Sequence, residues 1–128
     1  MAAAVADYTP RERAVEKIKK TSDDWSLSFT RTRDILKTLG EQKQPGQILV
    51  GFALETEQEE ANAQQKLAGK NADMIVLNSL RDAGAGFGHD TNKVTVFDRD
   101  GKVYPMALQS KTAAAKDIVN LIIDKLHG

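Results

Sequence analysis

Residues 47–80 read QILVGFALETEQEEANAQQKLAGKNADMIVLNSL, and this stretch predicts one strand–helix–strand unit. Ile48–Leu54 and Ala72–Leu77 are short apolar runs rich in strand-forming residues. Two apolar strands joined by a helix indicate a parallel pair covered by helices, with a right-handed crossover. Ligands of such sheets bind beyond the carboxyl ends of the strands, so we expect the functional edge at Gly51–Thr56 and Leu77–Ser79.

The helix between the two strands has its own start and stop signals. Thr56 stands three residues before Glu59, which is the spacing of a capping box. Gly69 can take the left-handed conformation that closes a helix, so the helix should end there. Lys66 and Lys70 stand four residues apart at this end, where like charges repel by about 0.2–0.5 kcal/mol. Either these cations simply favour a helix C-terminus, or they form an anion site in which a ligand's phosphates relieve the repulsion.

Both flanks of this unit predict further elements. On the N-terminal side we expect a strand at Ala2–Ala6 that ends before a turn at Pro10, a short helix or basic loop at Arg11–Lys20, an alternating strand at Trp25–Phe29, and a helix from Thr32 to Leu39 that Gly40 ends. On the C-terminal side we expect a glycine-rich loop at Arg81–Asn92 and a strand at Val94–Phe97. These are followed by a hairpin turn at Asp98–Gly101, an edge strand at Lys102–Leu108 and a helix from about Thr112 to His127. In the last helix one apolar stripe should face the sheet, comprising Ile118, Val119, Ile122, Ile123 and Leu126. The pattern predicts an α/β protein with a mostly parallel sheet flanked by helices, followed by a C-terminal hairpin and helix.

Length, charge and composition restrict the function classes. The 128 residues fit a single domain, and the formal net charge of zero predicts neither a nucleic acid nor a membrane surface as partner. Cysteine is absent, and His89 and His127 are the only histidines, which excludes a disulfide framework, a thiol nucleophile and a histidine-rich metal centre. No apolar run approaches the roughly 20 residues of a membrane span, and Met1–Ala6 is too short and uncharged for a signal peptide, so we expect a cytoplasmic protein.

Three further positions have two interpretations each. Phe52, near a strand end, is either a core residue or a flat platform for a base. Lys17 and the lysines that follow it in KIKK are either a solvated basic face or mobile groups that close over a phosphate and neutralise charge in a transition state. Asp7 either caps the next turn or holds a ribose hydroxyl or a metal-bound water. The residues alone therefore predict an α/β protein with a candidate anion or nucleotide edge.

Five segments together resemble the phosphopantothenate–cysteine ligase family, also called phosphopantothenoylcysteine synthetase. They are AAAVADYTP at residues 2–10, EKIKK at 16–20, VGFALET at 50–56, KLAGKNADMIVLNS at 66–79 and FGHDTNKVTV at 87–96. The resemblance covers essentially the whole chain in order, and the combination of segments makes it specific. This family is the coenzyme A biosynthetic domain that bacteria often carry behind a flavin-dependent decarboxylase.

The resemblance implies a ligation driven by cytidylyl transfer on a Rossmann-like fold. The carboxylate of 4'-phosphopantothenate attacks CTP and releases pyrophosphate, which gives an acyl-cytidylate. The amine of cysteine then attacks the acyl group and expels CMP. The resemblance further implies Mg2+ as the cation that accompanies CTP, and either a homodimer or association with the N-terminal half of the family domain.

The resemblance also assigns roles to residues of this chain. Lys17 matches the first lysine of a KxKK motif that contacts CTP and serves the second half-reaction, which makes it the catalytic candidate. The other matches are all nucleotide-binding: Met1, Ala2 and Ala3 at a strand end, Asp7, the segment Arg33, Asp34, Ile35 and Leu36, Phe52, and the pair Lys66 and Lys70. The resemblance thus favours the functional interpretation of Asp7, Lys17, Phe52, Lys66 and Lys70.

Two departures from the family pattern affect the expected function. Arg33 stands where the family usually has proline, which predicts a less rigid turn. The chain corresponds to about the second half of the family domain, so the glycine-rich phosphate loop and the asparagine that handles the acyl-cytidylate are expected upstream. We therefore predict an incomplete domain that supplies part of the CTP pocket and is weak or inactive alone. The alternatives are a non-catalytic nucleotide-binding fragment, or a partner-binding module whose first strand extends another sheet.

Overall fold

The computed structural model describes residues 5–19, 24–55, 57–79 and 90–128. They belong to two compact units, Met1–Ile35 and Leu36–Gly128. In the described residues the strands are β1 (Tyr8–Pro10), β2 (Phe29–Arg31), β3 (Val50–Glu55), β4 (Met74–Ser79), β5 (Thr91–Asn92), β6 (Val94–Asp98), β7 (Val103–Pro105) and β8 (Gln109–Ser110). The helices are α1 (Ile35–Glu41), α2 (Glu59–Gly69) and α3 (Lys111–His127).

The smaller unit is built on a two-stranded antiparallel ribbon. Tyr8 of β1 lies opposite Arg31 of β2, and the Arg31 guanidinium stands 5.9 Å from the centre of the Tyr8 ring. The Thr32 hydroxyl donates a hydrogen bond to the Ala6 carbonyl at 2.6 Å, which extends the pairing beyond β1. The prediction that Thr32 caps a helix is therefore wrong, and α1 begins three residues later at Ile35.

The first predicted strand is displaced along the chain. Val5 and Ala6 lie outside any strand, whereas β1 includes Pro10, where the sequence predicts a turn; residues 2–4 lie outside the described residues. Proline fits in β1 because its fixed φ is compatible with extended backbone and a two-stranded ribbon leaves one edge of each strand unpaired.

Two further predictions in the smaller unit concern apolar patterns that find no surface to pack against. Residues 11–19 contain no helix, so this segment takes the basic-loop alternative, and its Val15 side chain is fully exposed. The strand predicted at Trp25–Phe29 is wrong, since β2 begins only at Phe29 and the Trp25 side chain is exposed. Alternating apolar residues form a strand only where a sheet is present to bury them.

The larger unit contains a four-stranded mixed sheet in the order β3–β4–β6–β7. Strands β3 and β4 are parallel, with Val50 opposite Met74, as the strand–helix–strand pattern predicts. Strand β6 pairs antiparallel with β4 and with β7, and β5 and β8 form a separate short antiparallel pair. The α/β class with flanking helices, a C-terminal hairpin and a final helix is confirmed, but the sheet, predicted to be mostly parallel, is mixed, with β3 and β4 as its parallel pair. The hairpin turns at Gly101, whose φ of 82° favours glycine, and Pro105 lies on the outer strand β7 as predicted.

Each face of this sheet is covered by one helix. On the first face, α2 buries Ala63 and Leu67 against Ala53, Ile75 and Leu77. On the second face, α3 buries Ile118 against Met74, Val76, Val94 and Val96. Strand β4 is therefore buried on both sides, which explains the unbroken apolar run MIVL.

The apolar stripe predicted for α3 is only partly correct. Ile118 is buried and Ile122 packs beside it, whereas Val119, Ile123 and Leu126 are about half exposed. Residues follow one another at about 100° around a helix, so positions 118, 119, 122 and 123 cover a wider arc than one sheet face can bury.

The predicted start of α2 is also shifted, whereas its predicted end at Gly69 is confirmed. Helix α2 begins at Glu59 with Gln58 as its N-cap, two residues later than a capping box from Thr56 requires; Thr56 itself lies outside the described residues. Gly69 is the last helical residue, and the left-handed conformation belongs to Asn71, with φ of 51°. Asparagine tolerates this region because its short polar side chain forms local hydrogen bonds.

Gly40 was expected to end α1 but lies inside it. A Cβ atom at Gly40 would stand 1.8 Å from the Lys70 carbonyl oxygen, so glycine allows α1 to pass close to the end of α2. The Asn71 side-chain amide donates to the Gly40 carbonyl at 2.8 Å and fastens this crossing.

Two buried carboxylates anchor the amino end of β4. Asp73 accepts hydrogen bonds from the Leu49 amide at 2.7 Å and from the Lys43 ammonium group at 2.9 and 3.0 Å. Asp98 lies opposite Met74, and its two carboxylate oxygens accept hydrogen bonds from the Lys125 ammonium group at 2.9 and 3.1 Å. These ion pairs lie at the opposite edge of the sheet from the carboxyl ends of β3 and β4.

Asp100 adds a second carboxylate to Lys125, at 3.0 Å. Burial acts to lower the pKa of Lys125, but the hydrogen bonds and charges of Asp98 and Asp100 outweigh it and raise that pKa above its ordinary value. The hydrogen bond and charge of Lys125 in turn lower the pKa of Asp100.

Candidate functional site

An open cleft of about 520 Å³ lies beside α2 in the larger unit. It is lined by Lys37 of α1, Glu55 of β3, the α2 residues Asn62, Gln65, Lys66 and Gly69, and Lys70 just beyond α2. We call it the lysine cleft. Three of these seven residues are lysines and one is a glutamate, so the lining has a positive balance that suits an anion.

The packing of α2 explains why these side chains line one surface. Ala63 and Leu67 are buried against the sheet, so the neighbouring positions 62 and 66 lie at the rim of the helix. Residues three and four apart share a helix face, which groups Asn62, Lys66 and Lys70. Because β3 and β4 are parallel, α2 runs back along them, and the cleft extends from the carboxyl end of β3 towards the C-terminal end of α2.

Glu55 connects the strand to the helix within the lysine cleft. Its Oε1 atom accepts a hydrogen bond from Lys66 Nζ at 2.6 Å, and its Oε2 atom accepts one from Asn62 Nδ2 at 3.1 Å. Asn62 Nδ2 also donates to the Glu57 carbonyl at 3.1 Å. The Glu55 side chain is 16% exposed and that of Lys66 is 41% exposed, so the carboxylate lies deeper than the ammonium group.

The structure brings Lys66 and Lys70 together in this cleft, as the anion-site interpretation of the pair requires. Lys66 lies in the last turn of α2, where the helix dipole favours a cation. The ion pair with Glu55 shows that the cleft also holds a negatively charged group against this lysine.

Phe52 and Leu36 lie apart from the lining of the cleft. The Phe52 side chain is 68% exposed, so its interpretation as a core residue is wrong. It shares a sheet face with Val50, which packs on the α3 side, whereas Glu55 points to the α2 side. Leu36 packs against the core beneath α2, and one of its methyl groups fills the space beside Gly51.

The other predicted site residues belong to the smaller unit. Asp7 is exposed just before β1, and its carbonyl accepts a hydrogen bond from the Thr32 amide at 2.9 Å, which brings Asp7 next to the segment Arg33–Asp34. Lys17 is exposed in the basic loop, and Ile35 is half-buried at the start of α1. Met1, Ala2 and Ala3 lie outside the described residues.

The sequence analysis missed four cleft residues, Lys37, Glu55, Asn62 and Gln65. Glu55 had a usable signal, because it follows the apolar run of β3 directly at the edge where ligands bind. Asn62 and Lys66 are four residues apart, a spacing that places both side chains on one face of the helix. Lys37 reaches the cleft through tertiary packing that no local pattern reveals.

The residues that line the cleft offer few of the oxygen ligands that Mg2+ requires. Glu55 is the only carboxylate that lines it in the part of the chain that the structure describes, and it is already paired with Lys66 and Asn62. Nor do the described ranges contain a group of three or more His, Cys, Asp or Glu side chains that could hold a metal. Mg2+ is often bound through substrate phosphates with one or two carboxylates, so a Mg2+ ion in this cleft would need most of its oxygen ligands from a bound phosphate group. No helix of the described residues is long and apolar enough to cross a membrane.

Comparison with known families gives a match along nearly the whole chain. Residues 1–126 match the family described as DNA/pantothenate metabolism flavoprotein C-terminal domain. The chain is 48% identical over 120 residues to the coenzyme A biosynthesis bifunctional protein CoaBC of Bacillus subtilis (strain 168), covering 94% of this chain and 29% of that protein. It is 47% identical over 127 residues to a cysteine/cysteine sulfinic acid decarboxylase from an unknown prokaryotic organism, covering 99% of this chain and 35% of that protein.

A solved structure agrees with the sequence relatives. The crystal structure of the C-terminal domain of CoaBC superposes with a TM-score of 0.74 and 43% sequence identity, covering 98% of this chain and 54% of that one. The chain therefore spans about a third of the length of these curated relatives and about half of the solved domain.

Proposed function

The chain belongs to the DNA/pantothenate metabolism flavoprotein C-terminal domain family, and from this we propose that it forms part of a phosphopantothenate–cysteine ligase of coenzyme A biosynthesis. The similarity to the C-terminal domain of CoaBC, rather than to another part of that bifunctional protein, supports the choice of ligase. The observation that carries the proposal is the lysine cleft, which groups Lys66 and Lys70 with Lys37 beside a Rossmann-like sheet.

In the proposed reaction the carboxylate of 4'-phosphopantothenate attacks the α-phosphorus of CTP. The bond to the β-phosphate breaks, and pyrophosphate leaves with the electron pair. The cysteine amine then attacks the acyl carbon of the acyl-cytidylate, and CMP leaves while the amine loses a proton. The lysines of the cleft would bind the phosphates of CTP and offset the negative charge that grows on the leaving group.

The remaining roles follow the family resemblance and are part of the same proposal. Phe52 would lie beside the base, Asp7 and the segment Arg33–Leu36 would contact the nucleotide, and Lys17 would serve the second half-reaction. Mg2+ bound to the triphosphate would neutralise part of its charge. We propose a cytoplasmic protein that acts as a homodimer or together with the rest of the family domain.

The chain alone should be a weak catalyst. It covers 54% of the solved C-terminal domain, and a displacement reaction requires both partners to be held in line by groups from the whole site. The names of the curated relatives describe proteins about three times as long, so the decarboxylase activity named for one of them is not proposed for this chain.

The proposal is tested by measuring CMP formation with 4'-phosphopantothenate, cysteine, CTP and Mg2+. The assay compares the chain alone with the chain fused behind the part of the CoaBC C-terminal domain from Bacillus subtilis that it does not cover. We expect little CMP from the chain alone and substrate-dependent CMP from the fusion. Lys66→Ala in the fusion should slow the reaction, whereas Lys116→Ala on the exposed side of α3 should not. A fusion that folds and binds 4'-phosphopantothenate but makes no CMP would count against the ligase assignment.

A further inference from the structure

Both carboxylate oxygens of Glu55 accept hydrogen bonds from α2, and one of them pairs with Lys66. One oxygen pairs with Lys66 Nζ at 2.6 Å and the other accepts from Asn62 at 3.1 Å. Asn62 and Lys66 lie one turn apart in α2, so the carboxylate at the end of β3 is fixed against one face of the helix. The carboxylate is mostly buried while the ammonium group stays accessible from the cleft.

This geometry leaves Lys66 able to bind an anion. A lysine ammonium group has three N–H donors on a flexible stem, and Glu55 takes one of them. The other two can donate to phosphate oxygens. Because the ion pair already orders the Lys66 side chain, binding a ligand costs less conformational entropy than it would with a mobile lysine.

Glu55 also offsets repulsion among the cations of the cleft. Lys66 and Lys70 stand four residues apart, a spacing at which like charges repel, and Lys37 lines the same cleft. A fixed negative charge between strand and helix lowers this repulsion while no ligand is bound.

We propose that Glu55 is a positioning residue that fixes the Lys66 ammonium group for binding a triphosphate in the lysine cleft. The inference rests on the proposed nucleotide site and adds a residue to it. It makes a prediction opposite in sign to simple electrostatics. Removing a negative charge from an anion site should tighten binding by charge alone, whereas losing the positioning group should weaken it.

The test uses Glu55→Gln, which keeps the size of the side chain but removes its charge. We expect CTP and inorganic triphosphate to bind about fivefold to tenfold more weakly, the size expected for loss of one charge-assisted hydrogen bond at a half-exposed site. Glu55→Asp keeps the carboxylate and should recover part of the affinity. Glu60→Gln removes a charge from an exposed position of α2 and should leave binding unchanged. Thermal unfolding of each variant checks that the fold is kept.

A second readout needs no ligand and separates this inference from the proposed function. An ammonium group held by a carboxylate exchanges its protons slowly with water. The Lys66 ammonium group should therefore give a signal in nitrogen-15 NMR spectra, and its loss in Lys66→Arg assigns that signal to Lys66. The signal should disappear in Glu55→Gln and persist in Glu60→Gln. Tighter triphosphate binding by Glu55→Gln, or an unchanged Lys66 signal, overturns the inference. If the wild type binds no triphosphate, nucleotide binding by this chain fails and the Lys66 signal alone decides whether Glu55 positions the lysine.

Discussion

Replacing Gly40 with alanine should force α1 away from the end of α2 and destabilise the larger unit. The added Cβ would stand 1.8 Å from the Lys70 carbonyl oxygen and 2.8 Å from its carbonyl carbon, whereas ordinary contacts begin at 3.4 Å. The obstacle is backbone, so no side-chain rotation can relieve it. The Asn71 side chain, bonded to the Gly40 carbonyl, resists separation of the two helices.

The magnitude follows from two opposing terms. Overpacking of a close contact costs about 1–3 kcal/mol or more, and alanine returns up to about 1 kcal/mol through its higher helix propensity. With a backbone clash of this severity we expect a net loss of about 2 kcal/mol, which corresponds to a fall in Tm of roughly 8 °C or more for a unit of this size.

Gly69→Ala is the matched control. Gly69 ends α2, and a Cβ atom there would meet nothing within 4 Å, so this substitution should be neutral or stabilise by up to about 1 kcal/mol. Urea unfolding followed by circular dichroism measures both variants. Equal stability of the two variants would refute the close crossing of α1 and α2. Because the Gly40 clash also displaces the Lys70 backbone, Gly40→Ala should weaken triphosphate binding as well.

Four other predictions concern the ion pairs and Phe52. Lys43→Met leaves the buried Asp73 carboxylate without its ammonium partner, so it should lower the free energy of unfolding, measured in urea, by about 2–4 kcal/mol. The control Lys116→Met should change this free energy by less than about 0.5 kcal/mol. Similar values for both variants would contradict a stabilising ion pair between Lys43 and Asp73. The pKa of Lys125 is raised in the folded protein, so its stabilising contribution is complete below its unfolded pKa of about 10.5 and is lost as the pH rises through the folded value. The difference in free energy of unfolding between the wild type and Lys125→Met should therefore shrink above pH 10.5. A constant difference up to about pH 12 would argue against this contribution of Lys125. The pKa of Asp100 is lowered below 3.8, so its contribution is present above that pH and lost on acidification, and Asp100→Asn should flatten the loss of stability below pH 4. Phe52→Ala should change the free energy of unfolding by no more than about 0.5 kcal/mol because the ring is exposed, whereas a core phenylalanine would cost about 3–5 kcal/mol.

The sequence predicted the larger unit well because its elements bury one another locally. The apolar runs that became β3 and β4, the helix between them and the hairpin at Gly101 each combine a periodic pattern with a turn signal. The end of α2 agrees with the prediction, whereas its start and the left-handed residue that follows it differ, because Gln58 and Asn71 occupy left-handed conformations that their sequence context does not indicate. Gly40 resembles a helix stop signal in the sequence, although its role is set by Lys70, thirty residues away.

The smaller unit was predicted less accurately for a physical reason. The apolar side chains of Trp25 and Val15 are exposed. Apolar periodicity usually indicates a buried face, but here these side chains have no core to pack against, so the pattern predicted elements that do not form. In the candidate site, the lysine pair at 66 and 70 followed from spacing on one helix. Glu55 and Lys37 reach the lysine cleft from other elements, and tertiary contacts of this kind leave only a weak trace in a single sequence.

The central claim is that the lysine cleft holds the phosphates of a nucleotide. Calorimetric titration of the chain with CTP and then ATP, in the presence of Mg2+, tests it most directly. The account predicts that CTP binds and that the Lys66→Ala, Lys70→Ala double variant loses about tenfold or more in affinity while Lys116→Ala binds like the wild type. Equal CTP binding by the wild type and the double variant, or no binding of either nucleotide by the wild type, would contradict the claim.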